Sequence, residues 1–181
     1  NIIAGCGLYT GLTIPEPYAS MTEDELAEHM ISEIRFGEKE SGIKPGVIGE
    51  IGTSEVVEEL EARSLRAAAY ANLETGLPIY IHTYPWSRAS LDAIRILTDE
   101  GVLPEQICIC HLDVEFDYDY LCRVFDTGVY AMFDNFGKEY YFAKTDAVFS
   151  GGPFETDIDR VRMIKRMIAD GHTDRLMLAT D

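Results

Sequence analysis

The order of apolar and amphipathic segments predicts an α/β fold on a parallel sheet, closed as a (β/α)8 barrel of the TIM type. Three observations carry the prediction. Apolar runs of strand length alternate with segments of helical period, with a helix in nearly every interval, and right-handed crossovers of that kind build an all-parallel sheet. Polar residues recur just past one apolar run after another, at Glu50, His82, His111 and Asp181, and barrels build their sites at the C-terminal strand ends. An open doubly wound sheet would place a Gly-rich loop between its first strand and a helix, whereas Gly5-Cys6-Gly7 runs into a proline-containing loop.

The elements follow in order. Asn1–Gly7 is an apolar run and the first expected strand. Thr22, with Glu25 three residues on, forms a capping box that opens a helix over Glu23–Phe36. Gly37, Gly42 and Pro45 break the chain before a strand over Val47–Ile51. Ser54 is positioned to cap the next helix, with Leu60, Leu65, Ala68, Ala69 and Leu73 as its apolar stripe and Gly76 as its stop. Pro78–His82 is the next strand, Ser87–Glu100 a helix, Gln106–Leu112 a strand and Tyr118–Asp126 a short helix. Gly128–Phe133 is a strand, Asn135–Pro153 a long loop, Asp157–Asp170 a helix with Val161, Ile164 and Ile168 inward, and Leu176–Ala179 the last strand.

Six strands in 181 residues fall short of the roughly 250 residues of a complete barrel. A truncated barrel is therefore expected, as one domain over residues 1–181. Its start in mid-strand without a methionine and its end on Asp181 without a closing helix agree with that expectation. With 46% hydrophobic and 26% charged residues, the composition is globular, not disordered. A formal charge of −17 argues against nucleic acid and anionic membrane as partners, and no apolar run reaches membrane-spanning length. The four cysteines read as buried free thiols of a reducing cytoplasm, because a thiolate metal site needs more of them or a better-spaced pair.

Glu50 stands out as an acid inside an apolar strand, where an ionised carboxylate is costly unless something positive compensates it. A lone strand-end histidine is more often structural, but His82 and His111 close two consecutive strands whose ends lie side by side in a barrel. With Asp181, the four offer two imidazoles and two carboxylates, a set suited to zinc, manganese or iron. Asp113, one step beyond His111, is a candidate hydrogen-bond partner for that histidine. Lys138 and Arg160 are candidates to hold an anionic group of a substrate, against the simpler reading of each as a surface cation.

The segments Ile3-Ala4-Gly5-Cys6-Gly7-Leu8-Tyr9, Gly46–Ser54, Thr75–Thr83, Ile109–Asp113, Phe133-Asp134-Asn135-Phe136-Gly137 and Asp174–Asp181 together resemble the phosphotriesterase-related branch of the amidohydrolase superfamily. The order and spacing of the ligand-bearing strands match, not one short pattern. The resemblance implies a binuclear-metal (β/α)8 hydrolase, of which this chain carries strands three to eight. It makes Glu50 the bridge between two divalent cations, zinc first with manganese, cobalt or iron as alternatives. His82 and His111 would bind the second cation and Asp181 the first. Glutamate replaces the carboxylated lysine of many relatives, as in one subset of the family. The family's His-x-His of strand one has no counterpart and would lie upstream of Asn1. Tyr9 falls where lactonase members place a tyrosine near the substrate, and Asn135 falls where they often carry arginine.

The function so implied is hydrolysis of a lactone or ester, including a phosphorylated sugar lactone, by water activated between the metals, with Asp181 and Glu50 as catalytic groups. Phosphotriester hydrolysis is the second reading, and a binding protein with an incomplete metal site the third. A small-molecule substrate, a cytoplasmic location and a homodimer for the full-length protein complete the expectation.

Overall fold

The computed structural model describes residues 2–141 and 152–181. Eleven regular elements alternate along it: β1 (Gly5–Cys6), α1 (Glu23–Phe36), β2 (Val47–Gly52), α2 (Glu59–Thr75), β3 (Ile79–His82), α3 (Ser90–Asp99), β4 (Ile107–Cys110), α4 (Tyr118–Asp126), β5 (Tyr130–Phe133), α5 (Asp157–Ala169) and β6 (Leu176–Leu178). The six strands form one parallel sheet in strictly sequential order, β1 to β6. A doubly wound sheet reverses its order at a switch point. Here each strand is added beside the last, which is the winding of a (β/α)8 barrel.

Period-two burial sorts the strand residues. Ile79, Ile81, Ala131 and Phe133 are fully buried, while Tyr80, His82, Tyr130 and Met132 between them are half-buried. The first set joins Leu65, Ala68, Ala69, Ile94, Leu97, Leu121 and Val124 of the helices in one apolar cluster. Burying each Ile or Leu stabilises the fold by about 1.5–3 kcal/mol, so this layer sets the register. Because successive strand residues face opposite ways, that register turns His82 away from the helices.

Local signals landed where expected in α1 and α4. The Glu25 backbone N–H donates to Thr22 Oγ1 at 3.3 Å, and the Thr22 N–H donates back to Glu25 Oε2 at 2.8 Å. Asp117 caps α4 by accepting from the Tyr120 N–H at 2.9 Å.

Three expectations needed correction. The expected first strand, Asn1–Gly7, is reduced among the described residues to Gly5–Cys6, the two that pair in register with Val47 and Ile48 of β2. Ser54 does not cap α2, which starts at Glu59 after Glu58; its hydroxyl and N–H both donate to Glu61, at 2.6 and 2.9 Å. The inner face of α5 is Arg160, Ile164 and Met167, with Val161 and Ile168 exposed. Arg160 goes inward because a buried carboxylate, Asp113, meets it there at 2.8 Å. Among the described residues, no helix is long and apolar enough to cross a membrane.

Candidate metal centre

Glu50 reaches the site through a bulge. Ile48 pairs with Ile79 and Ile51 with Ile81, so β2 carries one residue more than β3 over that interval, and the extra residue bends the strand. Gly49 makes the bend possible. Its φ is +135° and a Cβ there would lie 2.4 Å from the Tyr80 carbonyl oxygen, a conformation and an approach that only glycine tolerates. The puzzle of an acid in an apolar strand is thereby resolved: the Glu50 side chain is 39% exposed at the strand end.

His82 ends β3 and is largely buried, with 12% of its side chain exposed. His111 follows β4 with φ +63°, a left-handed conformation costly for a residue with a Cβ and found most often at functional sites. The turn aims both its ring and its N–H at Asp134. Nδ1 lies 2.9 Å from Asp134 Oδ1, and the backbone N–H donates to both carboxylate oxygens at 3.1 Å.

The two imidazoles also meet one another, His82 Nδ1 to His111 Nε2 at 2.8 Å, and Tyr9 Oη lies 2.8 Å from His82 Nε2. One proton arrangement satisfies every member. His111 Nδ1–H donates to Asp134, His82 Nδ1–H to His111 Nε2, and the Tyr9 hydroxyl to His82 Nε2.

Electrostatics separates the two rings. Burial first, then the neighbouring His111, pushes His82 down to about 3, so it is a neutral imidazole whose one lone pair accepts the Tyr9 hydroxyl. Burial also opposes protonation of His111, but the hydrogen bond and charge of Asp134, with the charges of Glu50 and Asp181, outweigh it and leave the group above its ordinary value. Burial, then Glu50 and Asp181, raises the Tyr9 phenol to about 12, keeping it protonated as a donor.

These residues fit a divalent cation. Glu50, His82 and His111 present ligand atoms all within 4.8 Å of one another. Glu50 stands 4.0 Å from His82 Nδ1 and 3.8 Å from His111 Nε2. Tetrahedral zinc with N and O ligands spaces them about 3.3 Å apart, so small side-chain movements suffice. A carboxylate with two imidazoles, one orienting on a buried acid, suits zinc and its first-row neighbours.

Asp181 stays outside this trio and pairs with Lys138 Nζ. Burial opposes its ionisation, but the Lys138 hydrogen bond and the charges of His111, Lys138 and His82 hold the carboxyl below its ordinary value. Lys138 also donates to Asn135 Oδ1 at 3.1 Å.

Arg160 does not face solvent beside the trio, where a substrate could meet it. It is fully buried, with Nε on Asp113 at 2.8 Å, Nη1 on Asp157 at 2.9 Å and Nη2 on the Lys138 carbonyl at 3.1 Å. Asp113 does not bond His111. It accepts from the N–H of Asp134 at 3.3 Å and of Asn135 at 3.0 Å, and from Asn135 Nδ2 at 2.7 Å. The partner of His111 that the sequence reading passed over is Asp134. Its signal was present, an acid directly after the apolar run of β5, the same placement that singled out Asp181.

Residues 1–181, the whole chain, match the Phosphotriesterase family. The chain belongs to that family. It is 34% identical over 182 residues to the N-acetyltaurine hydrolase of Danio rerio, covering 100% of this chain and 51% of that protein. The phosphotriesterase homology protein of Escherichia coli, solved with phosphate in its active site, superposes with a TM-score of 0.89 at 31% identity, over 100% of this chain and 58% of that one. A mutant of the PTE-like lactonase of Deinococcus radiodurans superposes with a TM-score of 0.84 at 28% identity, over 99% and 54%. The chain thus spans about half the length of the curated phosphotriesterase-family relatives it matches.

Proposed function

We propose that this chain carries the metal-binding side of a phosphotriesterase-type hydrolase that cleaves a carboxylic acid derivative, a lactone or ester first and an amide as the neighbouring class. The convergence of Glu50, His82 and His111, with His111 fixed on Asp134, carries the reading. Names of family relatives, an N-acetyltaurine hydrolase and a PTE-like lactonase, support that substrate range.

Two divalent cations, with zinc as the leading choice and Glu50 as their bridge, would supply Lewis acidity and an acidified water. The protein groups supply the rest. His82, neutral because it is buried, binds without first losing a proton. Asp134 holds the His111 ring in one orientation. Asp181, kept ionised by Lys138, accepts the proton of the attacking water and returns it to the leaving group. Lys138 takes up an anionic group on the substrate, such as the phosphoryl of a sugar lactone, and Tyr9 contacts the substrate above His82. Arg160 acts from inside, through Asp113.

The test is a panel of lactones, aryl esters, N-acyl aminosulfonates and phosphotriesters on the metal-loaded protein, with metal analysis alongside. Turnover of the carboxylic derivatives, lost in Glu50→Ala, supports the reading. Turnover of triesters alone moves it to phosphotriester hydrolysis. A protein that retains no metal after reconstitution leaves a binding role.

A further inference from the structure

One carboxylate near the site has no part in the chemistry so far. Glu61, in the first turn of α2, is fully buried, and an ionisable group is left there only if hydrogen bonds compensate it. It accepts four. The Gly11 N–H donates at 2.9 Å, the Ser54 N–H at 2.9 Å, the Ser54 hydroxyl at 2.6 Å and the Glu58 N–H at 3.0 Å. These donors come from two different loops, the one between β1 and α1 and the one between β2 and α2, and from the start of α2 itself.

The first of those loops carries Tyr9, two residues before Gly11. Packing holds the Tyr9 side chain only in part, since the residue is 44% exposed, yet its hydroxyl sits 2.8 Å from His82 Nε2 with the rings 4.4 Å apart. An exposed ring keeps such a position only if its backbone is fixed. On one side it is fixed by β2: the Gly52 N–H donates to the Leu8 carbonyl at 3.0 Å, and a Cβ on Gly52 would lie 2.6 Å from the Tyr9 carbonyl carbon. Beyond Tyr9 the first tie from this loop's backbone to α2 is Gly11 to Glu61; Arg63 of α2 holds the far end of the loop, donating to the Ala19 and Met21 carbonyls at 3.2 and 3.1 Å.

We propose that Glu61 is a positioning residue, whose buried carboxylate ties Gly11 to Ser54 across the rim and so sets the Tyr9 hydroxyl on His82. The proposal deepens the functional reading above, because the group it places is the one assigned to meet the substrate. Its test is independent of turnover.

The chain has only four histidines, so ring 15N shifts in histidine-labelled, metal-free protein resolve His82 directly. Tyr9→Phe marks where the His82 Nε2 resonance moves when the hydroxyl is gone. Glu61→Gln, an isosteric change that turns an acceptor into a donor facing N–H groups, is expected to move it to the same place, with His172, which stacks on Phe125 of α4, unmoved. In the double variant Glu61→Gln adds no further shift. Gly11→Pro is the second arm. It deletes the N–H without substituting a residue of α2, its Cβ would lie 3.1 Å from the end of the Glu58 side chain, and Thr10 before it is already extended, at φ −68° and ψ 153°, as a residue preceding proline must be. The same shift in Gly11→Pro supports the proposal even where Glu61→Gln fails to fold. A His82 resonance that stays at the wild-type position in Gly11→Pro overturns it, as does a Glu61→Gln shift that adds to that of Tyr9→Phe. Absence of hydrolysis by the metal-loaded protein would count against the function and leave this result standing.

Discussion

His111 offers two donors to one carboxylate, its ring Nδ1 at 2.9 Å and its own backbone N–H at 3.1 Å from Asp134. A residue in a left-handed conformation is thus locked at ring and backbone together, leaving Nε2 alone to face Glu50. Outer partners of this kind typically change metal affinity about 10–100-fold when removed. Asp134→Asn is expected to weaken zinc binding by that range, read by competition with a chromophoric chelator, with little loss of helix content. Unchanged affinity would mean that the ring needs no such hold.

Gly49 offers a sharper test of the bulge. A methyl group there would sit 2.4 Å from the Tyr80 carbonyl oxygen at a φ of +135°. The strain and the close approach together are expected to cost at least about 2 kcal/mol, and relief requires β2 to move, taking Glu50 with it. Gly49→Ala should therefore lower both the denaturation midpoint and the metal affinity. Loss of stability with full metal affinity would show that Glu50 reaches the cation without the bulge.

What the sequence revealed depended on how far apart the deciding partners were. The capping box of Thr22 and Glu25 and the span of α4 were legible because each is settled within one turn. The candidate trio Glu50, His82 and His111 was legible because an acid in an apolar strand and two imidazoles at consecutive strand ends are unusual together, and the structure brings their ligand atoms within 4.8 Å of one another. The inner face of α5 was not, because the burial of Arg160 depends on Asp113, 47 residues away, and an arginine without a visible partner reads as surface. The short β1 was misjudged for a similar reason. Ile2 and Ile3 are apolar yet exposed, and a strand exists only where a neighbour pairs with it.

The two imidazoles should leave opposite signatures in the stability of the metal-free protein. His82 is held at about 3, against 6.5 ordinarily, by burial and then by His111. In that window the unfolded chain binds a proton the folded chain refuses, so stability falls as pH falls from about 6.5 toward 3. His111 lies above its ordinary value, so its contribution is complete below about 6.5 and is lost as pH rises through the folded value. Urea unfolding between about pH 4 and 8 should show a shallower acid slope in His82→Gln and a shallower neutral slope in His111→Gln. Equal acid slopes in His82→Gln and wild type would mean that His82 is protonated inside the fold.

The ion pair between Arg160 and Asp113 should prove the costliest to break. Both side chains are fully buried, while Asp157, the second carboxylate on Arg160, is 40% exposed. Removing one partner of a buried pair leaves an uncompensated charge, at about 3–5 kcal/mol, whereas losing an exposed partner costs about 1 kcal/mol or less. Asp113 also holds the backbone of Asp134 and Asn135, so disturbance reaches the carboxylate that orients His111 and the amide that meets Lys138. Arg160→Met should therefore unfold the protein at much lower denaturant than Asp157→Asn, and its remaining folded fraction should bind zinc more weakly. If the two variants are equally stable, Arg160 is not the group that neutralises Asp113, and the buried route from α5 to the metal centre fails with it.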